Sequence, residues 1–88
     1  ADYEKAIEDY TKILFLAPNA DIYKLRGDAR LYLKDYDHAI TDYTQAIQLD
    51  PNNPNILDGR STAYTKRKGT GDRELANADR KKAAQLAR

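Results

Sequence analysis

Residues 35–53 read Asp-Tyr-Asp-His-Ala-Ile-Thr-Asp-Tyr-Thr-Gln-Ala-Ile-Gln-Leu-Asp-Pro-Asn-Asn, and much of this stretch also occurs earlier in the chain. Most positions of segment 2–11 are identical to those of 35–44, and the matches continue to Pro18 and Pro51, at a spacing of 33 residues. A third, weaker copy begins at Asp72, 37 residues after the second. Periods of about 34 residues predict a repeated helix-turn-helix unit.

Apolar residues within each copy follow the rhythm of a helix rather than the alternation of a strand. One face of the first copy carries Ala6, Tyr10, Ile13 and Leu14, and the second copy has Ala39, Tyr43, Ala46 and Ile47 there. Proline ends the helices at positions 18 and 51, because it disfavours helical geometry in the preceding residue. Five helices are predicted, near 3–16, 20–33, 36–49, 54–67 and 72–87.

The predicted helix starts carry residues that can cap a helix. Asp2, Asp35 and Asp72 stand where a short side-chain oxygen can accept a free N–H of the first turn. Asn19 and Asn53 stand in the same place before the second and fourth helices. The turns are short, so neighbouring helices are expected to be antiparallel.

Composition excludes several classes of function. The chain has 88 residues, with 15 basic and 14 acidic side chains, so its net charge indicates no charged partner. It has no cysteine, which excludes disulfides, thiolate zinc sites and a cysteine nucleophile. No apolar run approaches the roughly 18 residues of a membrane span, so no membrane partner is expected. The composition does not fix the compartment, and a cytoplasmic location is a working assumption.

The repeated residues resemble the tetratricopeptide repeat (TPR) family, whose repeat is a pair of antiparallel helices called A and B. The resemblance is most specific in residues 35–53, which match helix B and its exit turn. It also implies core positions for Tyr3, Tyr10, Tyr36 and Tyr43, which are expected to pack between helices with their hydroxyls at the rim. It implies an all-α, right-handed solenoid of five helices in antiparallel hairpins, forming one TPR domain over residues 1–88. Helix B of repeat one is then residues 1–19, repeat two is 20–53, and repeat three is 54–88 with a capping last helix.

The chain departs from the family pattern at three positions in the A helices. Arg26 and Arg60 replace a leucine, and Arg30 replaces a tyrosine. By the same alignment the first repeat lacks its helix A. We therefore expect the face of the first helix that carries Ile7 and Tyr10 to lack part of its cover.

The resemblance implies a non-catalytic scaffold that binds a peptide of a partner protein in the concave groove between the A helices. The predicted peptide-binding residues are Asp21, Lys24, Asp28, Leu31, Tyr32, Asn55, Asp58, Thr62, Thr65 and Lys66. These side chains combine both charges with hydroxyl groups and little apolar surface. They predict a polar peptide, and an ordinary solvated surface is the alternative interpretation for each of them.

Residues that could support catalysis are scarce. His38 is the only histidine and has no second ligand at metal spacing, so no enzyme, metal site or cofactor is predicted. In one TPR subclass, Lys, Asn and Arg clamp a C-terminal carboxylate. Leu25 and Gly59 stand at the places of the clamp asparagine and arginine, so we rank that subclass low.

Two alternative functions come from the uneven charge. Residues 66–88 hold eight basic and three acidic side chains, which could bind nucleic acid or an acidic surface. No aromatic residue is interleaved there for base stacking, so nucleic-acid binding ranks lower. The acidic first helix could instead meet the basic last helix of another copy, giving a head-to-tail homo-oligomer through the uncovered first helix. The identity of the partner is not encoded in any motif found here.

Overall fold

The computed structural model describes residues 2–87, which form five α-helices and no strand within that range. The helices are α1 (Tyr3–Leu16), α2 (Ala20–Tyr32), α3 (Tyr36–Leu49), α4 (Pro54–Arg67) and α5 (Asp72–Leu86). Each helix contacts the next along the chain, and α2 also contacts α4. The predicted all-α fold of five helices is confirmed, with α2 and α5 ending one residue earlier than expected. The handedness of the solenoid and the division into repeats remain predictions.

Three of the five predicted caps are formed. Asp2 accepts the N–H of Lys5 at 2.9 Å, and Asn19 accepts that of Ile22 at 3.0 Å. Asn53 accepts the N–H of Asn55, in the first turn of α4, also at 3.0 Å. These bonds satisfy N–H groups that have no partner within the helix.

The carboxylates of the other two predicted caps have other partners. Asp35 is the cap residue of α3, as predicted, but its side chain accepts no N–H from the first turn and instead faces the His38 ring at 2.8 Å. The prediction for Asp72 is wrong. Asp72 lies inside the first turn of α5, and Gly71 is the cap residue, with a φ of 81°. Glycine adopts this left-handed geometry without the steric cost that a Cβ brings.

Tyr43 lies at the centre of the core, between α2 and α4. It is fully buried, at 0% exposure, and its hydroxyl donates a hydrogen bond to Asp28. Its ring lies so close to both helices that a Cβ on Gly27 would come within 3.0 Å of it, and one on Gly59 within 2.8 Å. The two glycines therefore permit α2 and α4 to approach the same aromatic ring.

The buried apolar core belongs mostly to α3, α4 and α5. Its members are Ala29, Ala39, Ile40, Tyr43, Ala46, Ile56, Leu57, Ala63, Tyr64, Ala76 and Ala83. Tyr3, Tyr10 and Tyr36 were expected to be core residues like Tyr43, but each is only half-buried. The family positions therefore include one fully buried tyrosine, in α3, and three that are only partly covered.

A buried ion pair joins α2 to α3. Asp42 is 1% exposed, and Arg26 donates to both of its carboxylate oxygens, at 3.0 and 2.8 Å. Arg30 adds a third bond at 2.9 Å. Bidentate guanidinium–carboxylate pairing is among the stronger polar contacts in proteins and fixes direction as well as distance. The arginines that depart from the family pattern thus neutralise a carboxylate inside the fold.

The same arrangement recurs between α4 and α5. Arg60 donates to both oxygens of Asp79 at 2.8 Å, and this hydrogen bond raises the pKa of the Arg60 guanidinium above its ordinary value. Each of these arginines also reaches back to the preceding helix. Arg26 donates to the Thr11 hydroxyl at 3.0 Å, and Arg60 to the Thr44 hydroxyl at 3.3 Å. One arginine therefore links three consecutive helices at each of the two places.

Helix α1 is the least covered of the five. It has no buried residue, and Ile7 and Tyr10 are half-buried. Phe15 and Leu16 are 89% and 84% exposed. The expectation that the first helix lacks part of its cover is confirmed.

Replacement of Asp42 is expected to destabilise the fold strongly. Asp42→Asn leaves two guanidinium groups without their carboxylate, so we expect a loss of roughly 3 kcal/mol, the lower end of the range for a broken buried pair, because both arginines keep some access to water. Asp9→Asn is the matched control, since Asp9 holds the same repeat position in α1 but is exposed. Its effect should stay within about 0.5 kcal/mol. Urea denaturation followed by circular dichroism measures both, and equal effects would contradict the assigned role.

Gly59→Ala tests the contact with the Tyr43 ring. Helix propensity alone would stabilise the variant by up to about 1 kcal/mol. Overpacking of a core costs roughly 1–3 kcal/mol, and the ring has glycine contacts on both sides that limit its movement, so we expect net destabilisation. In a Tyr43→Leu background the same substitution should become neutral or stabilising. A stabilising effect in the wild-type background, measured by thermal unfolding, would show that the ring moves freely.

Candidate peptide-binding groove

A groove of about 520 Å³ lies between α2 and α4, at the C-terminal end of both helices. It is lined by Asp28, Leu31, Tyr32, Lys34, Tyr36, Thr62 and Lys66. Its two sides are held together by the contact of α2 with α4, which depends on the Tyr43 ring between Gly27 and Gly59. The groove is therefore built on the core rather than on a mobile loop.

The structure brings some of the predicted peptide-binding residues together and leaves others apart. Five of them line the groove: Asp28, Leu31, Tyr32, Thr62 and Lys66. Asp21, Lys24, Asn55 and Asp58 do not line it, and Thr65 lines a different concavity, between α4 and α5. Whether any of the ten binds a peptide stays a prediction.

Two lining residues were missed by sequence reasoning. Lys34 lies in the turn after α2, with a φ of 64°, and Tyr36 opens α3. The resemblance to the TPR family selected positions on the A helices alone. It therefore could not include a residue of a turn or the first residue of a B helix. Tyr36 was instead expected to be a core residue.

One wall of the groove is apolar. Tyr32 is 69% exposed, and its ring stacks on that of Tyr3, with centroids 4.8 Å apart and planes 4° from parallel. Leu31 packs against the core, and Tyr36 adds a second aromatic ring to the lining. The lining is more apolar than the polar groove that the sequence predicted, because Tyr36 was not foreseen there.

The charge available to a ligand is positive. Asp28 accepts a hydrogen bond from Lys24 at 2.9 Å and another from the Tyr43 hydroxyl, so its carboxylate is already engaged. Burial, reinforced by Asp28, raises the pKa of Tyr43 far above its usual value, and the hydroxyl remains a donor. Within residues 2–87, Lys34 and Lys66 form no ion pair. Two lysines therefore remain free at the groove.

A family model described as tetratricopeptide repeat matches residues 20–53, which comprise α2, α3 and the turns after each. Residues 20–53 form a tetratricopeptide repeat. The five-helix fold is consistent with a TPR protein of about two and a half repeats. None of the curated proteins matches the chain. The TPR is a protein–protein interaction module, and the family is generally a non-catalytic scaffold.

The basic end of the chain forms a second concavity of about 570 Å³, between α4 and α5. Arg80 stands at its edge and donates to the Thr65 hydroxyl at 3.2 Å and to the Asn77 side chain at 2.7 Å. Arg67, by contrast, donates to Asp72 and also to Asp37. Part of the positive charge counted in the sequence is therefore neutralised in the fold.

Within residues 2–87, no group of three or more histidine, aspartate or glutamate side chains is arranged to hold a metal ion. In the same range, no helix has the length and apolar character needed to cross a membrane.

The Arg67–Asp72 pair should make stability depend on pH in the acid range. The hydrogen bond from Arg67, supported by the Gly69 N–H, holds the pKa of Asp72 below its ordinary value of 3.8. Because the folded-state pKa is the lower one, the carboxylate stabilises the fold above its unfolded pKa, and this contribution is lost as the pH falls through the folded-state pKa.

Asp72→Asn should flatten this dependence. We expect the unfolding free energy of the wild type to fall more steeply than that of the variant between about pH 5 and pH 2. Asp21→Asn is the control, because Asp21 is an exposed carboxylate in the first turn of another helix. Urea titrations at several pH values measure the slopes, and equal slopes for wild type and Asp72→Asn would refute the prediction.

Proposed function

We propose that this TPR chain binds an extended peptide segment of a partner protein in the groove between α2 and α4, without catalysing a reaction. The observation that carries the proposal is the groove itself, in which apolar walls lie beside two lysines that form no ion pair within the described residues. Its volume of about 520 Å³ falls in the range of roughly 300–1,000 Å³ that is typical of ligand pockets.

The lining favours a particular kind of peptide. Leu31, Tyr32 and Tyr36 offer a surface for one or two apolar side chains. Lys34 and Lys66 offer ammonium groups to carboxylates of the peptide that flank its apolar side chains. We therefore propose an acidic peptide that carries an apolar anchor, rather than the purely polar peptide suggested by the sequence.

The groove is largely organised before binding. Tyr32 is held by its stack on Tyr3, and Asp28 is held by Lys24 and Tyr43. A ligand then orders few protein side chains, which lowers the entropic cost of association by about 0.5–1.5 kcal/mol for each side chain already fixed.

Self-association is a second candidate, and the exposure of Phe15 and Leu16 favours it. A head-to-tail contact of α5 with α1 would place two second helices of repeats against each other. Within residues 2–87, neither α1 and α3 nor α3 and α5 contact each other, so that contact would not repeat an internal one. Nucleic-acid binding is favoured less, because Arg67 is engaged by Asp37 and Asp72.

A peptide selection tests the groove. From a displayed library of random 12-residue peptides, we expect enrichment of sequences in which acidic residues flank a large apolar one. Lys34→Glu/Lys66→Glu should weaken the selected peptides by about tenfold or more, since reversing charges at a binding site introduces repulsion. Tyr32→Ala should weaken them as well, through loss of apolar contact. Isothermal titration calorimetry gives the affinities.

The control is Lys82→Glu, which reverses an exposed lysine of α5 outside the groove. It should leave the affinity within about twofold, because Lys82 does not line the groove and salt screens exposed surface charges. Equal weakening by Lys82→Glu would mean that net charge, not the groove, drives binding. Selected peptides that bind the Lys34→Glu/Lys66→Glu/Tyr32→Ala variant as tightly as wild type would place the site elsewhere.

A further inference from the structure

The turn that follows α2 contains a residue in the left-handed conformation that is not glycine. Lys34 has a φ of 64°, and within residues 2–87 only one other residue besides glycine has a positive φ, which is Lys68 at 58°. In this geometry the Cβ of an L-residue comes close to the following carbonyl oxygen, so most side chains destabilise the turn and glycine does not. Lys34 therefore occupies a conformation in which glycine would be more stable.

Hydrogen bonds of the turn hold Lys34 in this conformation. The Lys34 N–H donates to the Leu31 carbonyl at 3.0 Å, and the Asp35 N–H donates to the Arg30 carbonyl at 2.9 Å. This pair of bonds is the Schellman motif, in which the left-handed position is most often occupied by glycine. Both bonds use backbone groups, so they do not require a lysine side chain.

The Lys34 side chain lies in the groove between α2 and α4. It stands between Tyr32 and Tyr36 in the sequence, and both tyrosines line the same groove. Within residues 2–87 its ammonium group forms no ion pair. Backbone strain of this kind is concentrated at functional positions, so an observed outlier in a groove points to a function for its side chain.

The second lysine of the groove has a different setting. Lys66 lies in the last turn of α4, with helical geometry, and a positive charge there stabilises the C-terminal end of the helix. Lys34 also lies close to a helix C-terminus, but its left-handed backbone opposes any stabilisation of that kind. Of the two lysines, only Lys34 combines a place in the groove with a local cost to the fold.

We propose that Lys34 is the residue that makes the groove selective for acidic peptides, although it lowers the stability of the fold. Its ammonium group donates a hydrogen bond to a peptide carboxylate that lies beside the apolar side chain packed on Tyr32 and Tyr36. The proposal rests on the proposed function of the groove and assigns its charge selectivity mainly to one lysine. Stability and selectivity should then change in opposite directions when Lys34 is replaced.

Lys34→Gly should stabilise the chain, because glycine adopts the left-handed geometry without a Cβ. We expect its melting temperature, followed by circular dichroism, to rise by roughly 4 °C. Lys68→Gly is the matched control, since Lys68 has the same geometry at the end of α4 but lines the second concavity instead of the groove. It should raise the melting temperature to a similar degree. A lower melting temperature for Lys34→Gly would overturn the proposed cost to the fold.

Two blocked peptides test the selectivity, the acidic Glu-Glu-Leu-Glu-Glu and the neutral Gln-Gln-Leu-Gln-Gln. Each is titrated into the isotope-labelled chain and followed by amide NMR shifts, and wild type and Lys68→Gly should both prefer the acidic peptide. Lys34→Gly should lose about tenfold in affinity for the acidic peptide, the lower end for a hydrogen bond to a charged group, and less than about twofold for the neutral one.

Three further variants separate charge from backbone flexibility. Lys34→Asn tolerates the left-handed geometry but has no charge, so it should lose the preference as Lys34→Gly does. Lys34→Arg keeps the charge and should keep the preference. Lys66→Gln should weaken the acidic peptide by no more than about threefold, as for an exposed ion pair.

The outcomes distinguish the role of Lys34 from the proposed function. Wild type that binds neither peptide, or both equally, would overturn the acidic-peptide function together with the role of Lys34. A wild-type preference for the acidic peptide that Lys34→Gly retains would overturn the role of Lys34 alone. So would a larger loss of preference in Lys66→Gln than in Lys34→Gly, or a preference that Lys34→Asn keeps.

Discussion

A carboxylate buried inside α3 constrains how α2 packs against that helix. Removing a charged group from water costs several kcal/mol, so Asp42 is stable in its 1% exposed position only because guanidinium groups reach it. Arg26 and Arg30 stand where the resemblance to the family would place a leucine and a tyrosine. Replacing a buried ion pair by apolar residues is often neutral for stability. The effect of the pair is therefore better described as alignment, because a bidentate bond sets the axial position of α2 against α3.

Tyr43, the residue after Asp42 in α3, connects the core to the groove. Its ring occupies the space between two glycines, and its hydroxyl holds Asp28, which is a groove residue. The width of the groove thus depends on the Tyr43 ring, which lies between α2 and α4. The charge that the groove presents depends on the hydrogen bond from Tyr43 to Asp28, because this bond engages the Asp28 carboxylate. With Asp28 engaged by Tyr43 and Lys24, the surface presented to a ligand is apolar and cationic rather than mixed.

Periodicity was sufficient to predict five helices and their ends to within one residue, while the resemblance to the family predicted the incomplete cover of α1. These features depend on local pattern and on the count of repeats. The ion-pair partners of charged side chains could not be predicted from the sequence. Arg26 and Arg60 were recognised only as departures from the family pattern, because their carboxylate partners lie on other helices. Groove residues in a turn or at a helix start were missed for a related reason. Lys34 and Tyr36 reach the groove through the path of the chain after α2, which no helical spacing describes.

Helices α1 and α5 differ in the residues that receive an arginine from a neighbouring helix elsewhere in the fold. The two ends of the described fold are therefore not equivalent. A further arginine-bearing helix packed on α5 would meet Lys81 at the position where Thr11 and Thr44 offer hydroxyl acceptors. It would also meet Arg80 in place of a core tyrosine, and like charges there would repel. On α1, in contrast, Asp9 and Tyr10 keep the acceptor and the ring that such a helix needs. The side chains that receive an arginine-bearing helix inside the fold are therefore retained on α1 and partly replaced on α5.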